Sequence, residues 1–396
     1  YYDANLVFIR SDAYIPTGWG LIVNQAVNNF KRIVITFNST NKPYRYLRLT
    51  GIDFGNLIYF TGADIQVASA IEEIDPLSGE ARYNTFDMKL YSANAAFNPL
   101  NPTGVYTSLQ QRQPISVYEN VDGNVIFIGQ FFTDTWKNTS DNQIEFHCID
   151  LLGVCDTIAC MGGMWFRNPV GMIIDGMLTP LGIPYSIDPD LYWTQLLGWL
   201  PVCTVREALQ HIALAIGAYV DCSNSSILNI RKLPVLATAV ATAEITESQK
   251  GIEQSLELKA LVTGVKVTSH NYTAISTVQT IFSGILSIGT YTMTFPQPMH
   301  DIAATGAAIS AYDANYAILN VSSPGTVTLT GQIYQDTQKT FSVMATGLPV
   351  GTADNIYTVD TSATLMSEDN AQTVAQRIYD YCQQRLQQTV KLYAPV

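Results

Sequence analysis

Long apolar runs are missing from these 396 residues: nothing approaches the ~18 consecutive apolar side chains a helix needs to cross a bilayer, so no membrane insertion is expected. Positive charge is scarce as well. With 21 Lys and Arg against 33 Asp and Glu, the net charge is −12, which excludes a surface that wraps phosphate backbones, since that needs clustered cations. DNA can still pass by, because an acidic bore repels phosphate and keeps a strand from sticking. The 6 cysteines are too few for a disulfide scaffold in a chain of this size and read as reduced, mostly buried small side chains. HExxH, GxSxG and P-loop spacings are absent, which removes those zincin, nucleophile-elbow and nucleotide-cradle signatures.

What is present is globular. At 47% hydrophobic and 14% charged residues the chain can bury substantial cores, and its length suits two to four domains. It opens on Tyr1 rather than Met and ends at 389–396 in a strand pattern that has only begun, which leads us to expect a piece of a longer chain.

Strand signals dominate the first 150 residues. Arg32-Ile33-Val34-Ile35-Thr36-Phe37 and Tyr46-Leu47-Arg48-Leu49 predict a hairpin around the polar turn at 38–42. Phe86-Asp87-Met88-Lys89-Leu90 alternates as a half-buried strand does, and 115–118, 125–129 and 144–149 are similar. Turn dipeptides Asn98-Pro99, Asn101-Pro102 and Asp122-Gly123 separate these runs, so an antiparallel barrel or sandwich is expected.

The stretch 151–233 changes character. Pro169 in a first turn, a stripe of Met172, Ile173, Met177 and Leu178, and the stop Pro180 with Gly182 predict one helix. Thr204 and Glu207 form a capping box, Ala208, Leu209, Ile212, Ala213 and Ile216 make an apolar stripe, and Gly217 supplies a left-handed cap. A hairpin of 219–222 and 227–230 follows. His211 rides on this helix, and a working base needs an orienting partner. Its helical neighbours at i±3 and i±4 offer only Glu207, so it reads as a polar residue at the edge of packing. Further strands are expected at 253–269, 290–295 and 326–330. A long helix is predicted from Glu368 to about Gln388, started by Ser367, with Ala371, Val374, Ala375, Ile378, Cys382 and Leu386 as its buried stripe.

The cluster most worth testing for metal is His147, Cys148, Cys155 and Cys160. Neighbours in a strand point to opposite faces, and the Cys155 and Cys160 pair lacks a second pair at matching spacing, so neither metal nor cofactor is expected. Glu72-Glu73, Asp134 and Glu244 with Glu247 are the carboxylates considered for hydrolysis. They are expected on polar strand faces or in loops with nothing nearby to shift a pKa, so no catalytic residue is assigned.

Several phrases have a family character. Ile74-Asp75-Pro76-Leu77-Ser78, Tyr83-Asn84-Thr85-Phe86 and Phe97-Asn98-Pro99-Leu100-Asn101-Pro102 resemble tail structural proteins from phages and prophages of Gram-positive bacteria. So do Gln111-Arg112-Gln113-Pro114-Ile115, Asp150-Leu151-Leu152-Gly153, Trp199-Leu200-Pro201 with Arg206-Glu207-Ala208-Leu209-Gln210, and Tyr316-Ala317-Ile318-Leu319-Asn320-Val321 with Thr326-Val327-Thr328-Leu329-Thr330-Gly331. The similarity spans about residues 65–396.

That resemblance implies a tail-tip or baseplate hub: a mainly β fold with α+β parts, in which tail-tube-like β-barrel domains flank a small α/β domain. The implied plan is an N-terminal β element at 1–50, a first tube-like barrel at 51–150 and the α/β domain at 151–235. A second tube-like domain would take 236–275 and 362–396, incomplete at its end, around an inserted small β domain at 276–361. Its implied partners are two further copies in a homotrimer, the tail tube and distal tail proteins, the tape measure, and a spike or fibre. DNA would pass through the bore without specific binding, and the implied location is the virion tail, assembled in the bacterial cytoplasm.

Two other functions compete. Stacking of some of the 22 Tyr, 15 Phe and 5 Trp on sugars would make a receptor or glycan binder, although aromatics at alternating strand positions are ordinary core. Trp165, Trp193 and Trp199 are read as packing residues of the α/β region. A cell-wall hydrolase would need paired carboxylates or a Cys-His or metal centre.

Overall fold

The structure is a computed structural model and describes residues 1–15, 27, 29–38, 59–75, 77, 80–92, 97–98, 100, 109–121, 124–234, 250–359, 362 and 364–392. These separate into two units, Tyr1–Asp64 with Glu119–Ile126, and Ile65–Tyr118 with Phe127–Val396. In the first unit, Asp3 accepts the N–H groups of Asn5 and Val7 at 2.8 Å each, which folds the chain back on itself. Tyr2 makes isolated bridges to Phe8 and Arg32, and the Tyr1 ring meets Phe30 edge-on at 5.8 Å. The run 32–37 was expected to be a strand but contributes only the bridge at Arg32. Its expected partner at 46–49 and most of the turn at 38–42 lie outside the described residues, as do Glu244 and Glu247.

The second unit is mainly β with α+β parts. A five-stranded sheet contains β1 (Ile65–Ile71), β2 (Thr85–Tyr91), β3 (Pro114–Val121), β4 (Asn124–Ser140) and β5 (Gln143–Asp150), in the open order β1-β2-β5-β4-β3, and all of it except the stretch 119–126 belongs to this unit. Alternation builds it: Phe86, Met88 and Leu90 face Ile144, Phe146 and Cys148 on a buried side. Asp87, Lys89, Glu145 and His147 take the other side, where Lys89 pairs with Glu145 at 3.1 Å and His147 with Asp87 at 2.6 Å. The run 125–129 belongs to a 17-residue strand whose register shifts at Thr133/Thr135 and Asn138/Ser140, irregularities that bend a strand and sharpen its twist.

The α/β region follows as α1 (Leu151–Cys155), β6 (Ala159–Cys160), β7 (Gly163–Pro169), α2 (Val170–Leu178), β8 (Tyr185–Ile187), α3 (Pro189–Tyr192), β9 (Gln195–Leu200), β10 (Cys203–Thr204), α4 (Val205–Ile216), β11 (Ala218–Asp221) and β12 (Leu228–Lys232). β6 pairs with β10 and β7 with β9, while β12 lies between antiparallel β11 and parallel β8. The predicted capping box of α4 is present in both directions, Glu207 N–H to Thr204 Oγ1 at 3.1 Å and Thr204 N–H to Glu207 Oε2 at 2.8 Å. Gly217 ends the helix at φ +76°. In α2 the buried stripe is Val170, Ile173, Ile174 and Leu178, so Met172, expected inside, is exposed, and Pro169 stands at the cap rather than in the first turn.

The rest of the chain forms β13 (Lys250–Leu258), β14 (Gly264–Leu286), β15 (Gly289–Thr294), β16 (Met299–Thr305), β17 (Ala308–Asp313), β18 (Tyr316–Val321), β19 (Gly325–Met344), β20 (Ile356–Thr358), α5 (Ala371–Cys382) and β21 (Leu386–Leu392). β14 and β19 pair along almost their whole length. One end of that ladder lies in the main core, where Val265 and Val267 join Leu209 and Ile212 of α4 and Val374 and Ile378 of α5. The other end lies in a second core with Val327, Leu329, Leu319 and Met299. The helix expected over 368–388 is a correction: it runs only from Ala371 to Cys382, with Asn370 rather than Ser367 at its cap. Leu386, placed on its stripe, instead opens β21 and pairs with Leu258.

Candidate functional site

Asp150 ends β5 and caps α1, accepting the N–H of Gly153 at 2.9 Å and that of Asn84 at 2.8 Å. Asn84 in turn donates through Nδ2 to Ser223 Oγ at 3.1 Å, and Ser223 donates through its N–H and hydroxyl to Asp221 Oδ1. This knot fastens the five-stranded sheet to the β11–β12 turn. Burial pushes the Asp150 carboxyl up to about 6 against the pull of three backbone N–H groups, and the charge of Asp221 adds to the rise. Glu72 is also raised, by burial first and by Asp221 second, with the Ser223 hydroxyl opposing. The expectation that nothing shifts a pKa near Glu72-Glu73 therefore fails at Glu72. Asp221 and Ser223, brought there from far along the chain, were invisible in its local sequence. Glu73 pairs with Arg82 at 2.5 Å and Asp134 with Arg112 at 2.9 Å. Both Asp150 oxygens are taken by the backbone and the residue is 2% exposed, so its chemistry is that of a joint.

The four residues weighed for metal are placed separately. His147 faces Asp87 on the outer side of the sheet, while Cys148 is in the core with its thiol pushed up to about 12 by burial. Cys155 is buried in α1, also raised to about 12, and Cys160 stands in β6 opposite Cys203. His211 is half-buried on α4.

A second knot surrounds Trp199. Its indole N–H donates to Asn315 Oδ1 at 2.5 Å, and Asn315 Nδ2 donates to the Met161 and Leu200 carbonyls at 2.7 Å each. The Tyr272 ring meets the indole edge-on at 6.0 Å. Trp199 is thus a packing residue as read from sequence, whereas Trp193 is exposed, against expectation, with Tyr192 edge-on at 5.1 Å.

One exposed apolar surface among the described residues is sheet-like. Among the described residues β13 and β21 form a two-stranded ladder, with Leu258 opposite Leu386. Leu256 and Leu258 share one face by alternation, and the three leucines are 66%, 64% and 65% exposed in the order Leu256, Leu258, Leu386. In a separate sheet, edge strand β1 also exposes Val67 and Ile71.

No family model and no curated protein matches the sequence. Among solved structures the chain is similar to the 43 kDa tail protein of prophage MuSo2 from Shewanella oneidensis, at 12% identity over 84% of this chain and 78% of that one, with a TM-score of 0.44. A tail protein from Neisseria meningitidis MC58 is similar at 10% identity over 83% of this chain and 74% of that one, TM-score 0.41. The prophage tail protein gp18 from Listeria monocytogenes EGD-e is similar at 12% identity over 49% of this chain and 56% of that one, TM-score 0.34.

Proposed function

We propose that this chain is a structural component of a phage or prophage tail, a homotrimeric hub at the distal end of the tail tube that links tube and tape measure to a spike or fibre. The observation that carries the proposal is the β13·β21 ladder with its three exposed leucines. Contiguous exposed leucines on a strand ladder support a surface that another protein covers. A second copy of the chain supplies that cover, and the sequence resemblance to tail-tip hubs gives the count of three. The net charge of −12 suits a bore through which DNA slides without sticking.

Sedimentation of the complete protein tests the assembly: a trimer is expected, and a monomer throughout the micromolar range would overturn it. A reconstruction of the tail tip should show an acidic bore, and a strongly basic lining would refute free DNA passage. Incubation with purified peptidoglycan is expected to release neither reducing ends nor free amines.

A further inference from the structure

We propose that Cys160 and Cys203 are a redox-active dithiol, a modification site at the foot of α4 that a small disulfide of the glutathione class oxidises to a cross-strand disulfide. The two residues are directly opposite in the β6·β10 pair. Antiparallel partners stand about 4.5–5.5 Å apart at Cα, inside the roughly 4.4–6.8 Å window of disulfides. Both are half-buried, so a small reagent has a route to them; Cys148, Cys155 and Cys222 are buried, and Cys382, also half-buried, stands on α5 rather than opposite a cysteine in a strand pair.

The neighbouring Cys203 thiol and the Gly162 N–H pull the Cys160 thiol down against its burial, and Cys203 is pushed up beside it. The other four cysteines are all raised by burial. The Cys160 thiol donates to the Met177 sulfur at 3.6 Å, a bond that its deprotonation gives up. In the proposed exchange Cys160 gives up its proton and attacks, and Cys203, directly opposite it, resolves the mixed disulfide.

The Cys160 thiolate attacks one sulfur of oxidised glutathione, the S–S bond breaks, and one glutathione leaves as a thiolate that takes up a proton. Cys203 then loses its proton and attacks the Cys160 sulfur of the mixed disulfide, expelling the second glutathione. Two protein thiols are oxidised and one glutathione disulfide is reduced to two thiols.

The test treats the native full chain with oxidised glutathione, then denatures it and alkylates the remaining thiols. The expected result is four alkylated cysteines of the 6, a peptide map joining Cys160 to Cys203, and an unfolding temperature raised until dithiothreitol is added. The Cys203→Ser variant should stop with glutathione attached at Cys160. Six alkylated cysteines, a bridge through any other cysteine, or a folded Cys203→Ser chain carrying no glutathione at Cys160 would overturn the proposal. If that variant does not fold, the peptide map of the unsubstituted chain decides.

Discussion

Folding takes the Asp150 carboxyl out of water, and its raised pKa sets the sign of a pH effect. The folded state holds the proton up to about pH 6, above the ordinary carboxylate value, so the folded chain binds more protons than the unfolded one between roughly pH 4 and 6. Stability from this group is present at low pH and is lost as pH rises through 6. The full excursion is on the order of 3 kcal/mol. Asp150→Asn removes the titration and leaves an amide N–H facing a backbone donor, a fixed cost of about 1–3 kcal/mol. The gap in urea midpoint between the original chain and this variant should widen as pH falls from 7 to 5, and a gap that narrows would contradict the account. Gly162 makes a second prediction at this scale. At φ +63° a Cβ would stand 2.2 Å from the Leu200 carbonyl oxygen and 2.6 Å from Asn315 Nδ2. Gly162→Ala should therefore break the knot around Trp199, visible as a shift in tryptophan fluorescence together with a lowered unfolding midpoint.

Helix α4 shows what an element gains from local punctuation. Thr204→Ala removes the acceptor for the Glu207 N–H and should cost about 1 kcal/mol in chemical unfolding. Gly217→Ala should cost more, because φ is +76° and the new Cβ would lie 2.5 Å from Arg377 Nη1. Arg377 reaches from α5 to donate to the Leu214 carbonyl at 2.5 Å, so a shifted guanidinium loosens the contact between the two helices.

The cap, the stop and most of the stripe of this helix were legible in its own residues; Ile216 is only half-buried, and Val205, Leu214 and Ala215, outside the expected stripe, are buried because α4 is covered on more than one side. Helix α5 was legible only in its middle. Ala371, Val374, Ala375 and Ile378 are buried as the periodicity predicts, but no Gly or Pro marks the end at Cys382. What ends it is distant in sequence: the Lys259 N–H donates to the Arg385 carbonyl at 2.8 Å, and β13 draws 386–392 into a ladder. The same limit applies to the acidic knot. Glu72 and Asp150 could be seen as carboxylates, but the meeting of β5, the Asn84 segment and the β11–β12 turn is a product of the fold.

For the whole molecule, the proposed association makes the exposed leucines the place to intervene. Replacing Leu256, Leu258 and Leu386 together with Ser should weaken self-association by roughly tenfold or more per leucine, since each buried leucine is worth at least about 1.4 kcal/mol. Sedimentation equilibrium measures it, and circular dichroism should show the fold retained. An unchanged assembly would move the interface elsewhere.

The β14·β19 ladder has a mechanical consequence. Its strands are 23 and 20 residues long, roughly 70 Å of backbone. A load applied along the strands to the core around Leu329 reaches the core around Val267 through cross-links stressed in parallel, side by side, so none opens before its neighbours. Pulled between Leu286 and Met344, the chain should therefore resist as one body and rupture in a single event.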